Sequence, residues 1–180
     1  MAEFGNNTPV IISARRTPIG KFQGSLSHFS AVELGAEAIK ASLVGIPDKL
    51  RNSIDEVILG NVVSAGLGQA PARQAAIIAG IPSTVGALTI NKVCGSGLKA
   101  VALAAQGIKA GDGRAYIAGG MESMSRAPYL LNGRNGELRF GHVQALDSLL
   151  NDGLWDPFEK WGMGNAAEFI AREFGISRAE

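Results

Sequence analysis

The only cysteine of this 180-residue chain, Cys94, lies between an apolar stretch, 87–90, and a helical pattern that begins near Leu98. The stretch predicts a buried strand, and the run Gly95-Ser96-Gly97 predicts a sharp turn into the helix. The first turn of a helix offers free N–H groups and the positive end of a dipole, which favour a thiolate and a forming oxyanion. Because a thiolate is a strong nucleophile, this position predicts nucleophilic chemistry at Cys94.

Residue type alone supports a second interpretation of Cys94. A lone cysteine in a chain with 46% hydrophobic residues is commonly a small buried core residue. The residues themselves do not decide between a core thiol and a nucleophile, and both interpretations stay open at this point.

The elements around Cys94 alternate between strands and helices. Short apolar runs predict strands at 10–13, 55–60, 87–90 and 116–118. Apolar periodicity and capping signals predict helices at 31–44, 71–80 and 98–110. Such alternation is typical of a parallel or mixed sheet covered by helices on both faces. Cys94 then lies beyond the carboxyl end of a strand, where open α/β sheets bind their ligands.

The pattern changes after Ser125. Residues 127–153 contain no long periodic segment, apart from a short helical turn expected near 147–150, and a helical pattern returns near Asn165. We therefore divide the chain into an α/β domain, 1–125, and a second region, 126–180.

Composition argues against several classes of function. A net charge of +1 gives no reason to expect nucleic acid or an anionic membrane as a partner, and no apolar run reaches membrane-spanning length. One cysteine and no signal peptide predict a reducing compartment, here the cytoplasm. His28 and His142 are far apart, which argues against a metal site. The Gly66-x-Gly68 run lacks the third glycine and the acidic residue of a dinucleotide-binding loop.

Two runs of the chain resemble signatures of the thiolases, the acetyl-CoA acetyltransferases. Residues 91–100, NKVCGSGLKA, resemble the acyl-accepting cysteine segment, and residues 118–125, AGGMESMS, resemble a second signature at the expected distance. The resemblance implies a thiolase-like α/β fold, with a mixed sheet covered by helices on both faces and with 126–180 as part of an inserted loop domain. It also implies that Cys94 takes an acyl group from acyl-CoA as a thioester.

The resemblance implies further site residues and partners. In the family, an Asp-Gly-Leu and a Met-Gly segment border the acyl and pantetheine end of the substrate tunnel, which here implies Leu154 and Met163. Biosynthetic members often have His before that Met, whereas this chain has Gly162, so the acyl-chain preference stays open; plain packing is the alternative role of Met163. CoA is then a substrate rather than a bound cofactor, no metal is implied, and the full-length enzyme is expected to be a homodimer or homotetramer.

The resemblance covers only the N-terminal half of a thiolase. The family's Asn-Glu-Ala-Phe motif, its Gly-His-Pro histidine that activates the nucleophile, and its Cys-x-Gly cysteine do not occur in these 180 residues. The last strand of the family's N-terminal sheet also comes from sequence after the loop domain. We therefore expect a partial sequence, with an incomplete sheet and little or no turnover alone.

The resemblance thus implies an acetyl-CoA C-acetyltransferase of fatty acid metabolism. Cys94 accepts the acyl group, and Claisen condensation with acetyl-CoA follows; the reverse reaction is thiolysis of a 3-ketoacyl-CoA. One alternative is a decarboxylating ketoacyl synthase of the same superfamily, which the Met-Glu-Ser-Met-Ser run disfavours. Another is a non-catalytic truncated domain that only binds or assembles, which the missing histidine and cysteine favour. Arg73 and Glu122 are predicted to have structural roles.

Overall fold

The computed structural model describes residues 8–134, 138 and 140–179. The chain forms two compact units, Met1–Arg126 and Ala127–Glu180. The elements of the first unit are α1 (Ala31–Ser42), α2 (Asp48–Arg51), β1 (Glu56–Gly60), α3 (Pro71–Ile78), β2 (Gly86–Ile90), α4 (Ser96–Ala110), β3 (Tyr116–Gly120) and a 3-10 turn (Met124–Arg126). Those of the second are β4 (Tyr129–Leu130), β5 (Leu146–Asp147), a π-helical turn (Leu150–Leu154) and α5 (Met163–Glu173).

β1 is the central strand of a parallel sheet with the order β2-β1-β3. Glu56 is in register with Gly86 on one side and with Tyr116 on the other. Val57 and Leu59 pack into one core cluster with residues of α1 and α3, whereas Ile58 packs into a second cluster with residues of α4. Helices therefore cover both faces of the sheet, which confirms the predicted α/β class.

The helix ends follow local signals in the sequence. Ser30 caps α1 because its Oγ accepts a hydrogen bond from the backbone N–H of Glu33, while the Glu33 carboxylate accepts one from the backbone N–H of Ser30. α3 begins at Pro71, which suits a first helical position. α4 is capped after Ala110 by Gly111, whose φ of +83° is in the left-handed region that glycine adopts without strain.

The strand predicted at 10–13 was wrong. Val10, Ile11 and Ile12 belong to no strand and are 66%, 78% and 64% exposed. A segment forms a strand only when it pairs with a neighbouring strand. Among the described residues β3 pairs only with β1, so no strand lies on the other edge of β3 to connect the segment 10–13 to the sheet. The three strands of the first unit are all parallel, and in the described ranges antiparallel pairing of strands occurs only between β4 and β5.

The second unit is held locally by short elements. Tyr129 of β4 is in register with Asp147 of β5, and the hydroxyl of buried Ser148 donates to the carbonyl of Pro128 at 2.5 Å. The helical turn expected near 147–150 is observed, because Ser148 and Leu149 are helical directly after β5 and lead into the π-helical turn Leu150–Leu154. No helix in the described ranges is long and apolar enough to cross a membrane.

Candidate active site around Cys94

Cys94 lies in the turn between the end of β2 and the start of α4, as the sequence predicts. Its side chain is exposed. The alternative of a buried core thiol is therefore wrong, and the nucleophile interpretation remains. A thiol that solvent reaches is also one that a dissolved substrate can reach.

Ser96 holds the turn that carries Cys94. Its buried hydroxyl oxygen accepts a hydrogen bond from the backbone N–H of Lys92 at 2.7 Å and donates one to the carbonyl of Val93 at 2.7 Å. The backbone N–H of Gly95 also donates to the carbonyl of Lys92, at 3.0 Å. Residues 92–96 therefore form a closed hydrogen-bonded turn with Cys94 in its middle.

Val93, the residue before Cys94, has a left-handed backbone with φ of +46°. This conformation is unfavourable for a β-branched residue, and such strain is found preferentially at functional sites. The side-chain oxygen of Asn91 supports it by accepting the backbone N–H of Val93 at 2.9 Å. This strain was not predicted, because the valine is an ordinary apolar residue in the sequence pattern.

The start of α4 packs closely against the ends of β1 and β3. A β-carbon on Gly60 would lie 2.6 Å from the carbonyl carbon of Ser96 and 2.8 Å from the nitrogen of Gly97. A β-carbon on Gly120 would lie 3.3 Å from the Cα of Gly97. Glycines at these positions let the helix start against the carboxyl edge of the sheet, which fixes the turn at that edge.

The start of α4 also offers hydrogen-bond donors. Within the described part of the chain, the backbone N–H groups of Cys94 and Gly97 donate to no protein acceptor. They lie at the positive end of a helix of 15 residues. Donors of this kind stabilise negative charge that forms on an attacked carbonyl oxygen.

Glu122 follows β3 and reaches back to the end of β1. Its Oε2 accepts the backbone N–H of Val62 at 2.8 Å, and its Oε1 accepts the side-chain amide of Asn61 at 2.7 Å and the backbone N–H of Val63 at 3.3 Å. Burial raises the pKa of the Glu122 carboxyl, although these hydrogen bonds act in the opposite direction. The structural hydrogen-bonding role predicted for Glu122 is confirmed.

Leu154 and Met163 belong to the second unit, whereas Cys94 belongs to the first. Leu154 ends the π-helical turn and Met163 begins α5. A β-bridge joins their neighbours Trp155 and Gly162, so the structure brings Leu154 and Met163 to the same part of the second unit. Their contact with a substrate stays a prediction.

Arg73, His28 and His142 are the remaining polar residues considered from the sequence. The guanidinium of Arg73 donates to the carbonyls of Val85 and Ser83, which holds the loop before β2. His28 and His142 are both exposed. Among the residues that the structure describes, no group of three or more His, Cys, Asp or Glu side chains is arranged to hold a metal ion.

Comparisons with known proteins agree with this geometry. The family model described as "Thiolase, N-terminal domain" matches residues 9–180. An acetyl-CoA acetyltransferase of Pseudomonas aeruginosa is 51% identical over 173 residues, which are 95% of this chain and 43% of the relative. A probable acetyl-CoA acetyltransferase of Escherichia coli is 53% identical over 171 residues, which are 94% of this chain and 43% of the relative.

A solved structure has the same fold. The crystal structure of Acat5 thiolase from Ascaris suum in complex with coenzyme A matches with a TM-score of 0.84 and 43% sequence identity, over 93% of this chain and 43% of that chain. The likeness confirms the fold expected from the sequence. The chain spans less than half the length of the relatives that it matches.

Proposed function

Because the chain belongs to the thiolase family, we propose that it carries the acyl-accepting part of an acetyl-CoA C-acetyltransferase, with Cys94 as the nucleophile. The observation that carries this proposal is an exposed thiol in a hydrogen-bonded turn at the start of a 15-residue helix. The strained backbone of Val93 supports it, because the fold maintains an unfavourable conformation directly beside the thiol.

The proposed first step is an acyl transfer. The Sγ of Cys94 attacks the thioester carbonyl of acyl-CoA, and a new C–S bond forms while the carbonyl oxygen takes negative charge. The free N–H groups of Cys94 and Gly97 are available to stabilise that charge. The tetrahedral intermediate collapses, the C–S bond to CoA breaks, and CoA leaves with the proton that the thiol gave up.

The second step completes the reaction. The enolate of an acetyl-CoA attacks the acyl group on Cys94, which forms a C–C bond and frees the thiol. In the reverse direction, CoA cleaves a 3-ketoacyl-CoA. Both directions need a base and a second acid/base group. The family's Gly-His-Pro histidine and Cys-x-Gly cysteine, which serve these roles, do not occur in these 180 residues, so we expect little or no turnover from them alone.

The proposal extends to ligands and assembly. The Ascaris suum relative is in complex with coenzyme A, which supports acyl-CoA and CoA as the ligands of this chain. Leu154 and Met163 are proposed to border the acyl end of the substrate tunnel. We further propose a cytoplasmic enzyme that is a homodimer or homotetramer when it is complete.

Intact-mass measurement after incubation with acetyl-CoA tests the proposal. We expect an acetyl adduct on the wild-type chain and none on Cys94→Ala. No adduct, on a chain whose Cys94 still reacts with iodoacetamide, would contradict acyl acceptance by this chain alone. Loading only from an acyl carrier protein would instead favour the ketoacyl synthase alternative.

A further inference from the structure

Two carboxylates tie β1 to β3, one at each end of the sheet. At the amino end, Oδ2 of Asp55 accepts the backbone N–H groups of Arg114 and Ala115 at 2.7 and 3.0 Å. At the carboxyl end, Glu122 accepts the backbone N–H groups that follow β1. The two contacts have the same chemistry, but only Glu122 lies at the end of the sheet where the Cys94 turn begins.

Hydrogen bonds lead from Glu122 to that turn. Glu122 binds the segment 61–63, and within it the backbone N–H of Asn61 donates to the carbonyl of Ile90, the last residue of β2, at 3.0 Å. The side chain of Asn91 connects the segment 61–63 to the turn that carries Cys94. Its Nδ2 lies 3.5 Å from the carbonyl oxygen of Val62, and its Oδ1 accepts the backbone N–H of Val93.

Within the segment 61–63, the side chain of Asn61 has Glu122 as its shortest hydrogen-bond partner. Asn61 is only 2% exposed, and its side-chain oxygen finds no partner in the described part of the chain. Its amide nitrogen donates to Glu122 and, at 3.2 Å, to the carbonyl of Met121. Removal of the Glu122 acceptor would leave the buried Asn61 amide with the Met121 carbonyl as its remaining acceptor, and the cost of an unsatisfied buried donor would favour a reorientation of this side chain.

We propose that Glu122 is a positioning residue for Cys94. It fixes the segment 61–63 against which the turn is built, and it thereby keeps Val93 in the left-handed conformation that presents the thiol at the start of α4. The inference rests on the proposed function only in taking Cys94 as the nucleophile. Glu122 acts through the backbone of Val62 and Val63 and takes no part in bond making.

The test is the rate constant for alkylation of Cys94 by iodoacetamide in the 180-residue chain, measured beside the urea midpoint of unfolding. Glu122→Gln replaces one acceptor oxygen by a donor that faces backbone N–H groups. We expect this variant to lower the alkylation rate about fivefold, the size of a lost helix-terminus interaction. Asp55→Asn is the matched control: it should lower the midpoint while its alkylation rate stays at the wild-type value.

An equal fall in rate for Glu122→Gln and Asp55→Asn would overturn the proposal, since the effect would then be one of stability. A wild-type rate in Glu122→Gln would also overturn it. Asn91→Ala removes the side chain that connects the segment 61–63 to the turn. Asn91 is exposed, so we expect this variant to fold. We expect it to slow alkylation at an unchanged midpoint, and an unchanged rate would overturn the proposal even if Glu122→Gln fails to fold.

The alkylation test is independent of acetyl-CoA. A wild-type chain that forms no acetyl adduct, but whose alkylation depends on Glu122 and not on Asp55, would contradict the proposed function and leave Glu122 as a positioning residue. An acetyl adduct on the wild type, with no effect of Glu122→Gln on alkylation, would support the proposed function and contradict the positioning role of Glu122.

Discussion

Gly60 and Ser96 are in backbone contact, so that a β-carbon on Gly60 would lie 2.6 Å from both the carbonyl carbon and the β-carbon of Ser96. Gly60 is the last residue of β1 and Ser96 is the first residue of α4. The turn that carries Cys94 therefore depends on both residues. Gly60 has no side chain and lets α4 start close to β1, and the Ser96 hydroxyl forms the hydrogen bonds of the turn.

The first prediction concerns Gly60→Ala. The added methyl group would meet the backbone of α4, which cannot move as a flexible side chain can, so we expect a loss of about 3 kcal/mol in the free energy of unfolding. Gly119→Ala, in the adjacent strand β3, is the control because its β-carbon would lie 4.0 Å from the nearest atom, Leu59 Cδ2. Urea unfolding followed by circular dichroism compares the two, and equal losses would contradict the contact.

Ser96→Ala should destabilise the chain and slow alkylation of Cys94. The substitution removes the acceptor of the Lys92 N–H and the donor to the Val93 carbonyl, for which we expect a loss of about 2 kcal/mol. Ser53→Ala is the control, because the Ser53 hydroxyl also donates to a carbonyl, that of Leu50 at 2.9 Å, but is exposed. It should leave the alkylation rate unchanged, and an equal effect of both substitutions would argue against the role of Ser96.

The two carboxylates that tie β1 to β3 should give opposite pH dependences. Hydrogen bonds from Arg114 and Ala115 lower the pKa of Asp55, so its contribution is full above its unfolded-state pKa and is lost as the pH falls through the lower folded value. Burial raises the pKa of Glu122. Its contribution is therefore greatest below its unfolded-state pKa and is lost as the pH rises through the higher folded value.

Urea unfolding across an acidic pH series checks this pair. The difference in the free energy of unfolding between wild type and Asp55→Asn should shrink as the pH falls. The difference between wild type and Glu122→Gln should shrink as the pH rises above the ordinary range of a glutamate. If both free-energy differences changed in the same direction with pH, either the lowered pKa of Asp55 or the raised pKa of Glu122 would be wrong.

Local signals in the sequence predicted most of the first unit. The Ser30 and Glu33 pair predicts the start of α1, and the run 55–60 predicts a strand that is observed at Glu56–Gly60. These features depend on neighbours a few residues apart, so their causes are visible in a short window. The position of Cys94 is predictable for the same reason, because the strand and the glycines that flank it are adjacent in the chain.

Features that depend on the folded backbone of a turn, or on residues distant in the chain, were not predictable. The φ of Val93 results from contacts with Asn91 and Ser96 that only the folded turn provides. The hydrogen bonds of Glu122 join residues about 60 positions apart. The strand predicted at 10–13 failed because composition reports the preference of a segment and not whether a neighbouring strand is present.

The exposed segment 10–12 leads to a last prediction. Three consecutive β-branched apolar residues, each more than 60% exposed, favour strand pairing with a second copy of the chain. We expect the double substitution of Ile11 and Ile12 by lysine to raise the concentration at which sedimentation velocity detects only monomer, because two charges oppose strand pairing. Val44→Lys is the control, since Val44 is 68% exposed but lies in a turn after α1. An equal gain from Val44→Lys would assign the effect to net charge and not to pairing of the segment.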